Sequence, residues 1–299
     1  TPIGAFEFKT KLLNSIQNNL PSSFPMPLPY EYVSGFDDVT NTATKYNYYQ
    51  FFMGRSSMSS GWWYYYPVAF LLKVPIAFLA ALVLLIFFRG KERLSEFKDS
   101  ELLILIMLTV YVVTFVLTVK TNIGLRYMLP LFPALHILAS RLVIVRLSDK
   151  ARRVVLAAVF LFYTAATLNV HPHYLSFFNS FAGGPENGYN YLIDSNIDWG
   201  QDLPELKNYM EKNKIEKIHL AYFGTADPGV YGIKFSPLLR ENRGVKAAVS
   251  VNYYQGYPPR ILFMGRPFHE KPYYYSYLHE YPIVDRVGYS LLIFDIPSN

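Results

Sequence analysis

The chain has 299 residues, a formal net charge of +6, 26 Tyr, 23 Phe, 20 Pro and no Cys. Charged residues make up 17%, well below the ~25% of an ordinary soluble domain, and the lack of Cys excludes disulfides, thiol catalysis and thiolate metal sites. Lys and Arg form no dense tract but gather beside apolar runs, which argues against nucleic acid as a partner and for helices oriented in a lipid bilayer against anionic headgroups.

The chain opens Thr1-Pro2-Ile3-Gly4, with no signal-peptide pattern. A polar stretch placed ahead of apolar segments predicts that this is the C-terminal part of a longer protein. Residues 1–66 read as an extracytoplasmic loop region, in which Pro21, Pro25, Pro27 and Pro29 mark extended backbone and residues 5–20 hold one short helix. The region ends in Gly61-Trp62-Trp63-Tyr64-Tyr65-Tyr66. Such rings, apolar in body and polar at one edge, suit a membrane–water interface, and an aromatic core cluster is the alternative.

Four apolar segments follow, at 67–89, 101–119, 127–146 and 151–170, each near the ~20 residues that span a hydrocarbon core. His136 and Arg141 interrupt the third, where a buried core helix competes. Arg89, Lys91, Arg93 and Lys98 lie between the first two segments, and Arg146, Lys150, Arg152 and Arg153 between the last two. The positive-inside rule puts both basic loops in the cytoplasm. Residues 1–66, 120–126 and 171–299 then share the outer face. The fold class expected is an α-helical integral membrane segment of about four transmembrane helices over 67–170, followed by a small extracytoplasmic α/β domain over 171–299. In that domain Asp202 to Glu205 matches a capping box with Pro204 in the first turn. A helix should run to about Asn213, and strands are expected at Ile218–Tyr222, 246–252, around Ile283–Val287 and over Ser290–Ile296.

The chemistry-bearing residues gather around the junction from His171 to Glu205. Arg126, on the outer loop before the third apolar segment, offers a planar fork of donors to a phosphate. Lys73 is a second phosphate partner, and an interfacial anchor is the plainer reading of Arg126. Asp194, Asn196, Asp198, Asp202 and Glu205 fall at positions one, three, five, nine and twelve of a calcium-loop pattern, which fails at position six, where Trp199 replaces Gly. If 192–198 is a strand, Asp194, Asn196 and Asp198 share one face and form an acidic wall for a sugar or a divalent cation, with Gln201 beside them. Alternatively Asp198 and Asp202 satisfy backbone amides at turns. His171 and His173 flank Pro172, with Asn179 downstream, and are candidates for proton transfer, metal ligation or substrate contact. No complete catalytic set is present.

The blocks 171–189 (HPHYLSFFNSFAGGPENGY) and 192–203 (LIDSNIDWGQDL) resemble the C-terminal region of bacterial GT-C membrane glycosyltransferases related to dolichyl-phosphate-mannose protein mannosyltransferases. Residues 61–75, 122–133 and 287–295 agree with the same resemblance, which covers most of the chain from about residue 45. It implies a hexosyltransferase that moves a sugar from a polyprenyl-phosphate carrier to a protein, lipid or glycan acceptor. It also implies that the catalytic acid lies upstream of this chain, that Arg126 holds the carrier phosphate, and that the 194–201 wall binds sugar. The competing class is a non-catalytic, membrane-anchored domain that binds glycan or protein.

Overall fold

Proline decides where the first apolar run stops being one helix. Among residues 2–45, 48–89, 99–116, 122, 124–145, 147–263, 266–269 and 271–298, which the computed structural model describes, the chain forms two units, Thr1–Tyr48 and Tyr49–Asn299.

In the first unit, α1 (Lys11–Asn18) and α2 (Tyr30–Lys45) enclose a small core of Ile3, Phe6, Phe8 and Val33. Asp37 of α2 accepts hydrogen bonds from the Thr10 amide at 2.9 Å and hydroxyl at 2.6 Å, which ties down the chain at the start of α1. The long helix α2 was not expected, because Ser, Gly, Thr, Asn and Asp are weak helix formers. Tertiary contact through buried Val33 and Asp37, one turn apart, supplies what propensity lacks.

The second unit begins with a hairpin, β1 (Gln50–Phe52) and β2 (Arg55–Ser57). The first apolar run then forms α3 (Tyr65–Lys73) and α4 (Ile76–Arg89), bent by 112°. Val74 is extended at φ −102°, ψ 138°, as the residue before a proline must be when the Pro75 ring excludes the α region. The bend leaves carbonyls at the end of α3 without helical partners. Asn179 supplies them: its Nδ2 donates to Leu71 O at 2.6 Å and Val74 O at 2.7 Å, and its own amide donates to Leu72 O at 2.9 Å.

Next come α5 (Asp99–Tyr111), which continues as π-helix over Val112–Val116, α6 (Leu131–Ser140), which tightens to a 3-10 turn over Arg141–Ile144, and α7 (Asp149–Asn169). The expectation of about four crossings, and with it a multi-pass location, is overturned. Among the described residues one helix, α7, is long and apolar enough to cross a membrane, and α3 with α4 passes only if the bent pair is one span. At 1.5 Å per residue α6 covers ~15 Å, half of a hydrocarbon core. Pro75, the prolines at the start of α6 and the tightening at Arg141 cut the apolar runs into pieces that their composition alone does not reveal. The basic residues at 90–98 and Arg146 lie outside the described residues.

The remaining elements are α8 (Leu203–Lys212), β3 (Ile218–Ala221), β4 (Phe235–Pro237), β5 (Val245–Ser250), the short α9 (Val251–Tyr254), the hairpin β6 (Arg260–Phe263) and β7 (Arg266–His269), β8 (Asp285–Val287) and β9 (Leu291–Ile296). Five strands make a mixed sheet in the order β4-β3-β5-β9-β8, parallel across β4, β3 and β5 and antiparallel from β5 through β9 to β8. Alternation along β5 and β9 feeds two cores. Ala248, Leu291 and Ile293 face α8, where Leu206 and Met210 cover them. Ala247, Val249, Leu292 and Phe294 join Tyr65, Leu72, Met128, Leu131, Leu192 and Ile197 in the larger core, so α3 and the sheet share one apolar interior.

Truncation of the Asn179 side chain would orphan the buried Val74 carbonyl, the part-buried Leu71 carbonyl and the part-buried Phe181 amide, from which Asn179 Oδ1 accepts at 2.9 Å. With ~1–3 kcal/mol for the buried carbonyl and less for each group that solvent can reach, Asn179→Ala is expected to lower unfolding free energy by roughly 2–5 kcal/mol, read as a reduced midpoint in a denaturant titration with unchanged slope.

Candidate functional site

The segment between α7 and α8 is neither strand nor calcium loop. Asp194–Asn196 is a 3-10 turn entered through Asp194 at φ +60°, a left-handed conformation rarely taken by a residue with a side chain. The alternation that would have put Asp194, Asn196 and Asp198 on one face is therefore absent. The turn is held from four sides. Asn196 donates from Nδ2 to Tyr65 Oη and to Ile193 O, both at 2.9 Å, and accepts at Oδ1 from the Leu125 amide at 3.0 Å. Asn252 Oδ1 accepts from the Asp194 amide at 2.7 Å. Lys73 Nζ donates to the Asn196 carbonyl and, at 2.8 Å, to that of Leu175. Gly124, at φ +147°, lies so close to Ser195 that a Cβ there would fall 2.0 Å from Ser195 Oγ.

These contacts build a cavity of about 350 Å³ with Lys73, Arg126, Ser195 and Asn196 in its wall, together with Leu125, Leu129 and Phe177. Arg126 is exposed on the 3-10 turn Leu125–Met128, its guanidinium carbon 5.4 Å from the Tyr127 ring. Lys73 is part-buried, its side-chain nitrogen 4.5 Å from the centre of the Phe178 ring, and burial pulls its pKa down to about 7. Two of its three N–H donors go to the carbonyls just named. Asp194 stands next to this pair. Burial raises its carboxyl to about 6, and the Ser195 amide, which donates to its Oδ1 at 2.6 Å, and the Arg126 charge oppose that rise. Burial thus disfavours the charged forms of Asp194 and Lys73 alike, and the exposed Arg126 guanidinium supplies the positive charge on the cavity wall.

The other expected site residues lie elsewhere. His171 Nδ1 is 2.8 Å from Tyr174 Oη at the surface. Asn179 is the cap of α3 described above. Gln201 accepts from the Trp199 amide at 2.8 Å and donates to Ile197 O at 3.0 Å, a closed local turn. His173 belongs with Asp198 and Asp202 in a buried polar latch behind the cavity. Asp202 Oδ2 accepts from the Ser290 amide at 3.1 Å and hydroxyl at 2.8 Å, while its Oδ1 is 3.1 Å from His173 Nδ1. The expected capping box therefore does not form: Asp202 stands at the N-cap of α8 with its carboxylate turned to the loop before β9. Asp198 accepts from the Gly200 amide at 2.7 Å and from the Ser250 hydroxyl. Among the described residues no three His, Asp or Glu side chains gather as metal ligands. The three carboxylate and amide groups expected to share a cation each spend an oxygen on a separate N–H donor.

Sequence reasoning missed Tyr65, Asn252, Ser250 and Ser290. Tyr65 was legible only as part of an aromatic run, and the other three lie 52 or more residues beyond the groups they hydrogen-bond, with no local signal to mark them.

Comparison of the chain with family models, curated proteins and solved structures finds no match.

Burial raises Asp198 to about 7, with the neighbouring charge of Asp202 pushing the same way and the hydrogen bonds from Ser250 and Gly200 opposing. A carboxyl that binds its proton more tightly folded than unfolded stabilises the fold most at low pH. That stabilisation is lost as pH rises from the free value of 3.8 to about 7. Asp198→Asn removes the titration, so thermal melts from pH 4 to 8 should show a flatter dependence of Tm on pH than the wild type.

Proposed function

We propose that this chain forms the carrier-binding part of a glycosyltransferase that takes a sugar from a polyprenyl-phosphate donor and passes it to an acceptor. One observation carries this reading. The Arg126–Lys73 cavity shares Val170 and Phe177 of its wall with a larger groove of about 980 Å³. The groove is lined by Ile76, Ala80 and Leu84 of α4 and by Val155, Val159 and Phe162 of α7. An amphiphile with one charged end and a long branched hydrocarbon tail matches that pair. The phosphate meets a fork of guanidinium donors, and the isoprenoid tail fills an apolar trough that would otherwise face its surroundings empty.

The chemistry available here concerns the leaving group. In transfer from a glycosyl phosphate, the bond between the anomeric carbon and the phosphate oxygen breaks, and the electron pair stays on the phosphate. On this reading Arg126 stabilises that developing charge through direct donors, and Lys73 holds the 194–196 turn through its bond to the Asn196 carbonyl. The resemblance of residues 61–75, 122–133 and 171–203 to lipid-carrier glycosyltransferases supports the same assignment, because those blocks supply Lys73, Arg126 and the 194–196 turn.

Binding of a detergent-dispersed polyprenyl phosphate to the chain tests the reading. Hydrogen bonds to charged groups are worth ~1.5–3 kcal/mol, so Arg126→Ala should weaken binding by roughly 10- to 100-fold, while the matching phosphate-free polyprenol should bind both proteins equally and weakly. Equal affinity of wild type and variant for the phosphate would overturn the assignment.

A further inference from the structure

A second concavity, of about 460 Å³, opens between the β1–β2 turn, the residues before Leu192 and the end of α9. Its wall contains no Lys, Arg, Asp or Glu among the described residues. His279 lies flat on Tyr254, ring centroids 4.2 Å apart and planes 17° from parallel, and Tyr189 meets Tyr254 edge-on at 6.2 Å. Asn190 and Gln255 both line the concavity and are bonded to each other, Gln255 Nε2 donating to Asn190 Oδ1 at 3.4 Å.

Hydrogen-bond accounting shows what this wall has to spare. His279 Nε2 is 2.8 Å from the Tyr254 carbonyl, an acceptor, so that nitrogen carries a proton and donates it there. Asn190 keeps the two donors of its amide nitrogen, and Gln255 keeps its carbonyl oxygen. Donors and acceptors are thus interleaved on an aromatic frame, and no charged side chain lines the wall. The Arg286 guanidinium carbon lies 5.4 Å from the Tyr189 ring with one N–H donated to the Glu186 carbonyl, and an apolar ligand would leave the amides unpaired. A neutral polyol, whose every hydroxyl both donates and accepts, satisfies them all. The frame is fixed: Tyr49 Oη donates to Gln255 O at 2.6 Å, and the Met53 amide donates to Tyr191 O at 2.8 Å.

We propose that this bowl binds a neutral saccharide and, on the reading of the Arg126 cavity as the donor site, holds the acceptor glycan. Tyr191 lines the bowl and Ser195 lines the cavity, with buried Leu192 and Ile193 between them. Four residues of chain span at most ~14 Å, so the backbones that border the bowl and the cavity are no farther apart than a short oligosaccharide is long.

The test titrates wild type, Asn190→Ala/Gln255→Ala and Arg126→Ala with neutral gluco-, manno- and chito-oligosaccharides of two to four sugars, using saturation-transfer NMR and calorimetry. Near-UV circular dichroism confirms that each variant is folded. Loss of two amide hydrogen-bonding groups at ~0.5–1.5 kcal/mol each predicts that at least one oligosaccharide binds the wild type and binds the double variant roughly tenfold or more weakly, while Arg126→Ala binds it like the wild type. Absence of binding by every oligosaccharide, or equal binding by the double variant, overturns the saccharide site. Polyprenyl-phosphate binding measured on the same three proteins separates the two assignments. Its insensitivity to Arg126→Ala overturns the donor reading and the acceptor role built on it, and a saccharide site that passes its own arm stands as a binding site alone.

Discussion

The side chain of Asn196 is the point on which the second unit depends. It is 1% exposed and uses one amide to fasten three pieces of chain that are far apart in sequence: Tyr65 at the start of α3, Leu125 on the turn before α6, and the Ile193 carbonyl of its own segment. Lys73 takes hold of the same residue through the backbone. A buried amide of this kind is worth little as a net hydrogen bond, but leaving its partners unpaired is expensive. The geometry therefore has one satisfactory solution, and in that solution Arg126, Lys73 and Ser195 border a common space.

Two polar devices act on the same segment from opposite ends. At its start, Asn179 completes the broken end of α3, so the bend at Pro75 and the position of residues 177–184 are one structural fact. At its end, Asp198 and Asp202 are drawn into the sheet by Ser250 and Ser290. Apolar burial of Leu192, Ile197 and Phe178 fills the interval. The segment has little regular secondary structure of its own, and its order comes from side-chain amides and carboxylates that answer backbone groups elsewhere. That arrangement suits a site, because it fixes loop backbone with the rigidity of a core.

The two concavities divide their chemistry by charge. One pairs a guanidinium and the part-buried Lys73 nitrogen with an apolar groove, and the other has interleaved neutral donors and acceptors on stacked rings. Both draw on the stretch from Tyr189 to Asn196, so any rearrangement of that stretch would alter both together. On the proposed reading this coupling matters, since carrier and acceptor must be positioned against each other before a bond can pass between them.

Residue types and spacing made several things legible in advance. The α8 helix with Pro204 in its first turn and the strands at β3, β5, β8 and β9 follow from local periodicity, which tertiary packing does not contradict there. Arg126, Lys73, Asp194 and Asn196 were identifiable as polar residues in apolar or aromatic company. What the sequence could not determine is how the apolar runs divide and which polar groups meet. Hydropathy counts composition over a window, whereas Pro75 and the tightening after α6 act at single residues and shorten what composition makes look continuous. Asp202 looked like a helix cap because its local spacing is that of one, but Ser290, far along the chain, offers its carboxylate a better-buried partner. The pairing of Asn196 with Tyr65 and Leu125, and of Asn190 with Gln255, depends on distances that exist only once the sheet and α3 share a core. The chemical groups were thus fixed by the order of residues, and the tertiary structure alone decided which of them became neighbours, because long-range hydrogen bonds leave no period in the chain.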